Sequence, residues 1–233
     1  MDANTTSHVS HDPHTAPHGE HGSHGHQASL EVGLDFCNTL EYARSQPEER
    51  FTSVEVALEW LVAHDLMHHD AFDREVERFD QDPGAGERAL GRIRKVRAAM
   101  RELVDATVDA RPPDLQHLRE VNRSLRTHYV YELVPAPDGV SLDHKHEGDP
   151  IDGALARLAE SVAREVSQGE PERLRVCAND ECRWVFNDSS RTGRRKWCDM
   201  STCGNRAKAA RHRERKRSAT AADGAADASG QGV

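Results

Sequence analysis

The 233-residue chain carries 31 Lys and Arg against 40 Asp and Glu, a net charge of −9, with only 36% hydrophobic residues. Its length allows one domain of roughly 100–150 residues plus a small module, and no stretch approaches the ~18 apolar residues of a membrane-spanning helix. The charge is unevenly divided: residues 173–217 hold fourteen Lys or Arg and five Asp or Glu, a local +9 that leaves −18 elsewhere, so one end suits a polyanion that the rest repels.

Residues 1–28 scatter His8, His11, His14, His18, His21, His24 and His26 among Ser, Gly, Pro and Thr. With almost nothing apolar to bury, this leader is expected to be disordered, at most a loose divalent-metal tract. It has no apolar signal-peptide core, so a soluble, cytoplasmic protein with reduced thiols is expected. From Leu30, LEVGLDFCNTLEYAR reads as a short helix with Leu34, Cys37 and Leu40 near one face, Cys37 being a small buried hydrophobe. Asn38 and Arg44, polar groups beside that face, are the candidate contacts for a small-molecule ligand. Thr52 to Glu55 has the form of a capping box, with Thr52 as the cap of a helix carrying Val54, Leu58, Leu61 and Trp60.

A third helix over about 70–80 is expected to stop at Asp82-Pro83-Gly84. The longest follows from Glu87 to about Ala110 with a Leu90, Ile93, Met100, Leu103 stripe. Asp114 should cap the next, which carries Leu115, Leu118, Val121 and Leu125. YVYELV then switches to period two, and with VSLDH forms the one strand pair expected in the body, turning at Asp138-Gly139. A last body helix spans about 151–167 with Gly169 past its end, and Gly169-Glu170-Pro171 reads as the boundary of a domain over 30–168. Residues 218–233, small and polar without periodicity, are expected to be disordered.

Between these ends, Cys177-x4-Cys182 and Cys198-x4-Cys203 form two equal pairs fifteen residues apart. Four cysteines complete a tetrahedral Zn2+ site with no open position, which builds structure and leaves no seat for substrate. The spacer RWVFNDSSRTGRRKW fits a strand, a turn over 187–193 and a return strand, with Trp184, Phe186 and Trp197 shielding the metal. Ligands on a knuckle and at a helix start make a treble-clef plan. In the helix after Cys203, Ala207 and Ala210 offer a small face to the hairpin, while Arg206, Lys208, Arg211, Arg213, Arg215, Lys216 and Arg217 face only Glu214 as local counter-charge. Together with Arg191, Arg194, Arg195 and Lys196 they are the candidate nucleic-acid contacts. The fold class expected is α+β: a predominantly helical body with one β-hairpin, then a small treble-clef-like zinc finger over 173–217.

Cys203-Gly204-Asn205-Arg206 resembles the defining tetrapeptide of the CGNR zinc-finger family, and the preceding C-x4-C, aromatic spacer and KWC match its layout. The body, through LDFCNTLEYAR and VALEWLVAHDL, is similar to the ABATE domain, described as a stress-induced transcription regulator. The resemblance covers about 30–215. It implies a bacterial regulator with one structural zinc ion on Cys177, Cys182, Cys198 and Cys203. DNA is the expected partner, and the body would sense a small molecule or form a homodimer. RNA binding or protein interaction through the same helix is the alternative. A treble-clef nuclease would need His or carboxylate ligands and a general base, yet residues 183–197 hold no histidine and His212 stands in a basic run, so no enzyme is expected.

Overall fold

Ser29 opens the body, its hydroxyl accepting from the Val32 amide at 3.3 Å to cap α1 (Leu30–Asn38). This computed structural model describes residues 27–43, 46–137 and 139–228, so the His-rich leader up to His26, Arg44 and Asp138 lie outside the described residues. Leu34, Phe36 and Cys37 point from α1 into the core. Burial pushes the Cys37 thiol up to about 12, so it stays protonated and behaves as a hydrophobe. Gly33 is required by packing: a Cβ there would fall 2.3 Å from Ser161 Oγ and 3.1 Å from Val162 Cγ2 on a later helix.

The helix expected to continue through Leu40 is cut short. The Thr39 hydroxyl donates to Phe36 O at 2.8 Å, closing α1, and the chain enters β1 (Leu40–Ala43), which pairs antiparallel with β2 (Gln46–Glu49). The body therefore has two strand pairs among the described residues where one was expected. Arg97 locks this second pair onto the core. Its guanidinium donates to Glu49 Oε1 at 2.7 Å and to Thr39 Oγ1 at 3.1 Å, and lies 5.5 Å over the Phe51 ring. Burial would raise the Glu49 carboxyl, but the Arg97 and Phe51 N–H bonds outweigh it and hold the group below its ordinary value.

α2 (Val54–Ala63) is capped by Ser53, whose hydroxyl accepts from Val56 N at 3.4 Å, one residue later than the Thr52 cap expected. α3 (His69–Gln81) ends at Asp82, but Pro83 begins the next helix instead of merely breaking the last. Asp82 Oδ1 accepts from Ala85 N at 3.1 Å, and Pro83 occupies a first-turn position whose missing N–H costs nothing, so α4 (Pro83–Val108) starts a turn ahead of Glu87. Asp114 caps α5 (Leu115–Ser124) through the Gln116 and His117 amides at 2.8 and 3.2 Å. β3 (Tyr129–Ala136) and β4 (Gly139–His146) form the expected hairpin with Leu133 opposite Leu142, and Asp149 caps α6 (Pro150–Gln168).

α4 is the axis against which α1, α2, α3, α5 and α6 pack. Phe36, Phe51, Leu58, Leu61, Ile93, Met100, Leu158 and Val162 fill the space between them. β5 (Leu174–Val176) and β6 (Val185–Asn187) pair antiparallel, and Leu174 and Val185 join this same core. α7 (Asn205–Ala228) runs past Arg217 into the stretch expected to lack structure, whose alanines are the strongest helix formers. No helix among the described residues is long and apolar enough to cross a membrane.

Candidate metal centre and basic helix

The first cysteine pair sits in the turn of the β5–β6 hairpin. Cys182 N and Arg183 N both donate to Asn179 O, at 2.8 and 3.0 Å, and Glu181 N donates to Asn179 Oδ1 at 3.3 Å, folding a knuckle. Cys177 N donates to Trp184 O at 2.8 Å, continuing the β5–β6 ladder, and Arg183 closes the turn with a left-handed φ of 55°. The expected hairpin inside the fifteen-residue spacer is thus corrected: its first strand is β6, but the partner strand precedes Cys177. Side chains satisfy the backbone that a return strand would have paired. Asp188, fully buried, accepts from Ser190 N at 3.0 Å and Arg195 N at 2.7 Å. Arg173 donates to the Asp188 and Ser190 carbonyls at 3.0 and 3.1 Å, and Arg175 to Gly193 O at 2.9 Å.

The second pair closes on a wide π-helical turn, Met200–Gly204. Asp199 caps it, accepting from Thr202 N at 2.7 Å, and Asn205 Nδ2 donates to Ser201 O at 2.9 Å. Gly204 leaves room for the covering side chains, since a Cβ would lie 2.7 Å from Met200 Sδ and 3.4 Å from Trp197 Cδ1.

These two turns bring the sulfurs of Cys177, Cys182, Cys198 and Cys203 within 4.8 Å of one another. Cys182 and Cys198 are 3.6 Å apart, and Cys198 and Cys203 3.8 Å. A disulfide needs about 2.05 Å, whereas a tetrahedron with Zn–S bonds of about 2.3 Å has edges of about 3.8 Å. Hydrogen bonds from the Cys182 and Cys198 thiols pull the Cys177 thiol far below its ordinary value. The same contacts raise Cys182, through Cys177 first, and Cys198 likewise. Sulfurs this close cannot all ionise without a cation among them. Asn179 Nδ2, 3.4 Å from Cys203 Sγ, supplies an N–H to one of them. The donor set, spacing and burial fit a closed four-cysteine metal site.

Beyond the site, Arg206, Lys208, Arg211, Arg213, Arg215, Lys216 and Arg217 are all exposed on α7. Ala207 is half-buried but Ala210 is exposed, so the small face expected to lie against the hairpin shrinks to the first turn. Within the spacer Arg191, Arg194 and Lys196 are exposed. Arg195 is not freely available: its guanidinium lies 5.1 Å over the Phe186 ring and donates to Cys198 O.

The profile described as "CGNR zinc finger" matches residues 173–216. That of ABATE, described as "Putative stress-induced transcription regulator", matches residues 30–169, more than half of the chain. The chain belongs to the ABATE family. No protein of curated function matches it.

The ABATE domain precedes the CGNR finger and grips it. Asn38, at the end of α1, donates through Nδ2 to Val185 O at 2.9 Å and accepts from Val185 N through Oδ1 at 2.9 Å. Asn38, expected as a ligand contact, has both amide atoms engaged with β6. Two further contacts bind the same edge. Arg101 Nη2 donates to Arg183 O at 2.8 Å, and the Arg183 guanidinium lies 5.1 Å over the Tyr42 ring. Neither Asp188 nor the Asn38 junction was anticipated from the sequence. For Asp188 the signal was present, an isolated acid in a run rich in Arg, whereas Asn38 and Val185 are 147 residues apart and carry no local cue.

Proposed function

We propose that this chain is a DNA-binding transcription regulator of the bacterial cytoplasm, in which one Zn2+ on Cys177, Cys182, Cys198 and Cys203 anchors α7 in a treble-clef-like arrangement. The observation that supports it most is how the exposed cations wind around α7. At about 100° per residue, Arg206, Arg213 and Arg217 fall within roughly 40° of one another, and Lys208, Arg211 and Arg215 cluster on the opposite side. A helix about 10–12 Å across fills a B-DNA major groove about 12 Å wide and meets a phosphate wall on each side, which is what two opposed cationic stripes suit. The deep, narrow major groove of A-form RNA admits no such helix. His212 and Lys216 lie between the stripes, away from half-buried Ala207, and face the groove floor. Arg191, Arg194 and Lys196 extend the phosphate contacts. In this reading the zinc ion is scaffold, the protein is not an enzyme, and the ABATE domain senses a signal or pairs two copies.

The β3–β4 hairpin is the surface for pairing. Tyr131, Leu133, Val140 and Leu142 are 60–73% exposed on one face of a two-stranded sheet to which no third strand is paired among the described residues. They make roughly 500 Å² of apolar surface, the size at which a patch marks an interaction site. A second copy presents the same face, as a two-fold interface requires.

The test of DNA binding is its salt dependence. Changing Arg211, Arg213 and Arg215 to Gln should lower the slope of log affinity against log salt on duplex DNA by about 2.7, at about 0.9 per lost phosphate contact. An unchanged slope, or tighter binding to RNA or single strands than to duplex, would overturn the assignment.

A further inference from the structure

A cavity of about 210 Å³ opens beside the junction of body and finger, between the end of α1, β1, α4 and α5. Its apolar lining includes Leu40, Tyr42 and Ala98, and its polar lining is Arg97, Arg101, Glu102, Asp105 and His117. Two of these residues are the ones that hold the finger. Arg101 bonds both Asp105 oxygens at 3.0 Å through Nε while its Nη2 holds the Arg183 carbonyl, and Tyr42 carries the Arg183 guanidinium. Arg183 follows Cys182 directly and keeps a φ of 55°, a backbone state that a non-glycine residue holds only when its surroundings enforce it.

We propose that this cavity is the sensing site of the regulator, that it takes a neutral, phenol-sized aromatic molecule with one hydroxyl, and that occupancy reaches the finger through Arg101, Tyr42 and Arg183. Size sets the class first: a cavity of about 150 Å³ accepts benzene, so the volume here suits one ring and a polar substituent. Charge narrows it. Arg101 is paired with Asp105, and Glu102 at the rim is held by Arg111 at 2.6 and 3.0 Å, so neither sign is left over to select an ion. One buried polar atom of the lining makes no hydrogen bond: His117 Nδ1, on a half-exposed ring, has Asp114 Oδ1 3.4 Å away, and beside that carboxylate it carries the proton and can donate to a ligand hydroxyl oxygen. A ring seated against Tyr42 presses on the surface that carries Arg183, and a hydroxyl at the polar end meets the Arg101–Asp105 pair.

The inference rests on the regulator reading for its purpose, but its test does not involve DNA. Phenol is titrated to 10 mM into the full-length zinc-loaded protein, and backbone amide shifts are followed by NMR. Saturable shifts are expected over residues 37–42, 98–105 and 117, accompanied by shifts over 182–185. Ala98 is exposed at the mouth, so Ala98→Phe fills the cavity without overpacking the core, and should weaken binding at least tenfold while leaving Tm within a few degrees. Arg183→Ala removes the Tyr42 contact but keeps the carbonyl that Arg101 holds, so it should keep the first set of shifts and at least halve the second. Scattered or non-saturating shifts, unchanged affinity in Ala98→Phe, or tighter binding of benzoate than of phenol would overturn the site or its ligand class. Finger shifts that persist undiminished in Arg183→Ala would overturn the route. Loss of DNA binding with these results intact would sink the regulator reading and leave the cavity standing.

Discussion

Asn38 does with one side chain what an edge strand does with a peptide group. Its amide presents a donor and an acceptor side by side, and Val185, a core residue of β6, uses both. Asn38→Ala would leave a buried N–H and a buried C=O without partners, at about 1–3 kcal/mol for each. A loss of about 2–4 kcal/mol of stability is expected, measured from the urea midpoint at constant m-value. Asn38→Asp should be no better, because a carboxylate keeps the acceptor but faces Val185 O without a donor. A change under about 1 kcal/mol in both variants would mean that the finger is held by Leu174 and Arg101 alone. From the sequence Asn38 reads as a polar residue at the edge of an apolar helix face, which is correct. Its partner lies in another module, so the same letter is as compatible with a ligand contact as with a junction. Cys37 and the four metal cysteines were legible for the opposite reason: an apolar setting explains the one, and paired spacing over a short range explains the others.

Among the elements, helices with a sustained 3.6 period stand where the pattern places them, as α5 and α6 show. Boundaries moved wherever a cap had a rival: Ser53 displaced Thr52, and Asp82 with Pro83 turned an expected stop into a start. The strand pair β1–β2 was hidden because its four-residue strands are too short to show alternation, and Glu49 belongs there only because Arg97 on α4 reaches it. β3–β4 was visible because YVYELV alternates over a longer run, and the same alternation places its apolar side chains on an outer face. A hairpin alone is at best marginally stable in water, so this one gains from being covered. Leu133 and Leu142 are directly opposite each other in register, so a pair of like charges there repels both across the hairpin face and across a two-fold. Leu133→Glu with Leu142→Glu should shift the protein from dimer to monomer in sedimentation velocity at micromolar concentration, with the helical signal retained. A wild-type protein that sediments as a monomer at these concentrations would remove the pairing surface.

At the scale of the whole molecule, the metal does not divide the chain where composition does. The charge boundary falls near residue 173, yet Leu174 and Val185 pack in the same core as Phe36 and Ile93, and β5 contacts α4. The finger is therefore in two halves. Residues 174–187 are held by the body, while the loop from Asp188, the turn at Met200–Gly204 and the start of α7 are held by the four sulfurs, by Asp188 and Asp199, and by the bonds of Arg173, Arg175 and Ala178 to the loop carbonyls. With an ion on the four cysteines, as proposed, its removal would take a large stabilising contribution from the second half and leave the first half its core contacts. Chelation, or Cys198→Ser, should then abolish amide-exchange protection over 188–217 while β5, β6 and the Asn38 pairing stay protected, and DNA affinity should fall with the ordered helix. The basic helix has little apolar surface of its own, and its main packing partner among the described residues is the turn at Met200–Gly204, which fixes its direction. Loss of protection spreading through α1 and α4 would instead show that the metal site and the body fold as one cooperative unit.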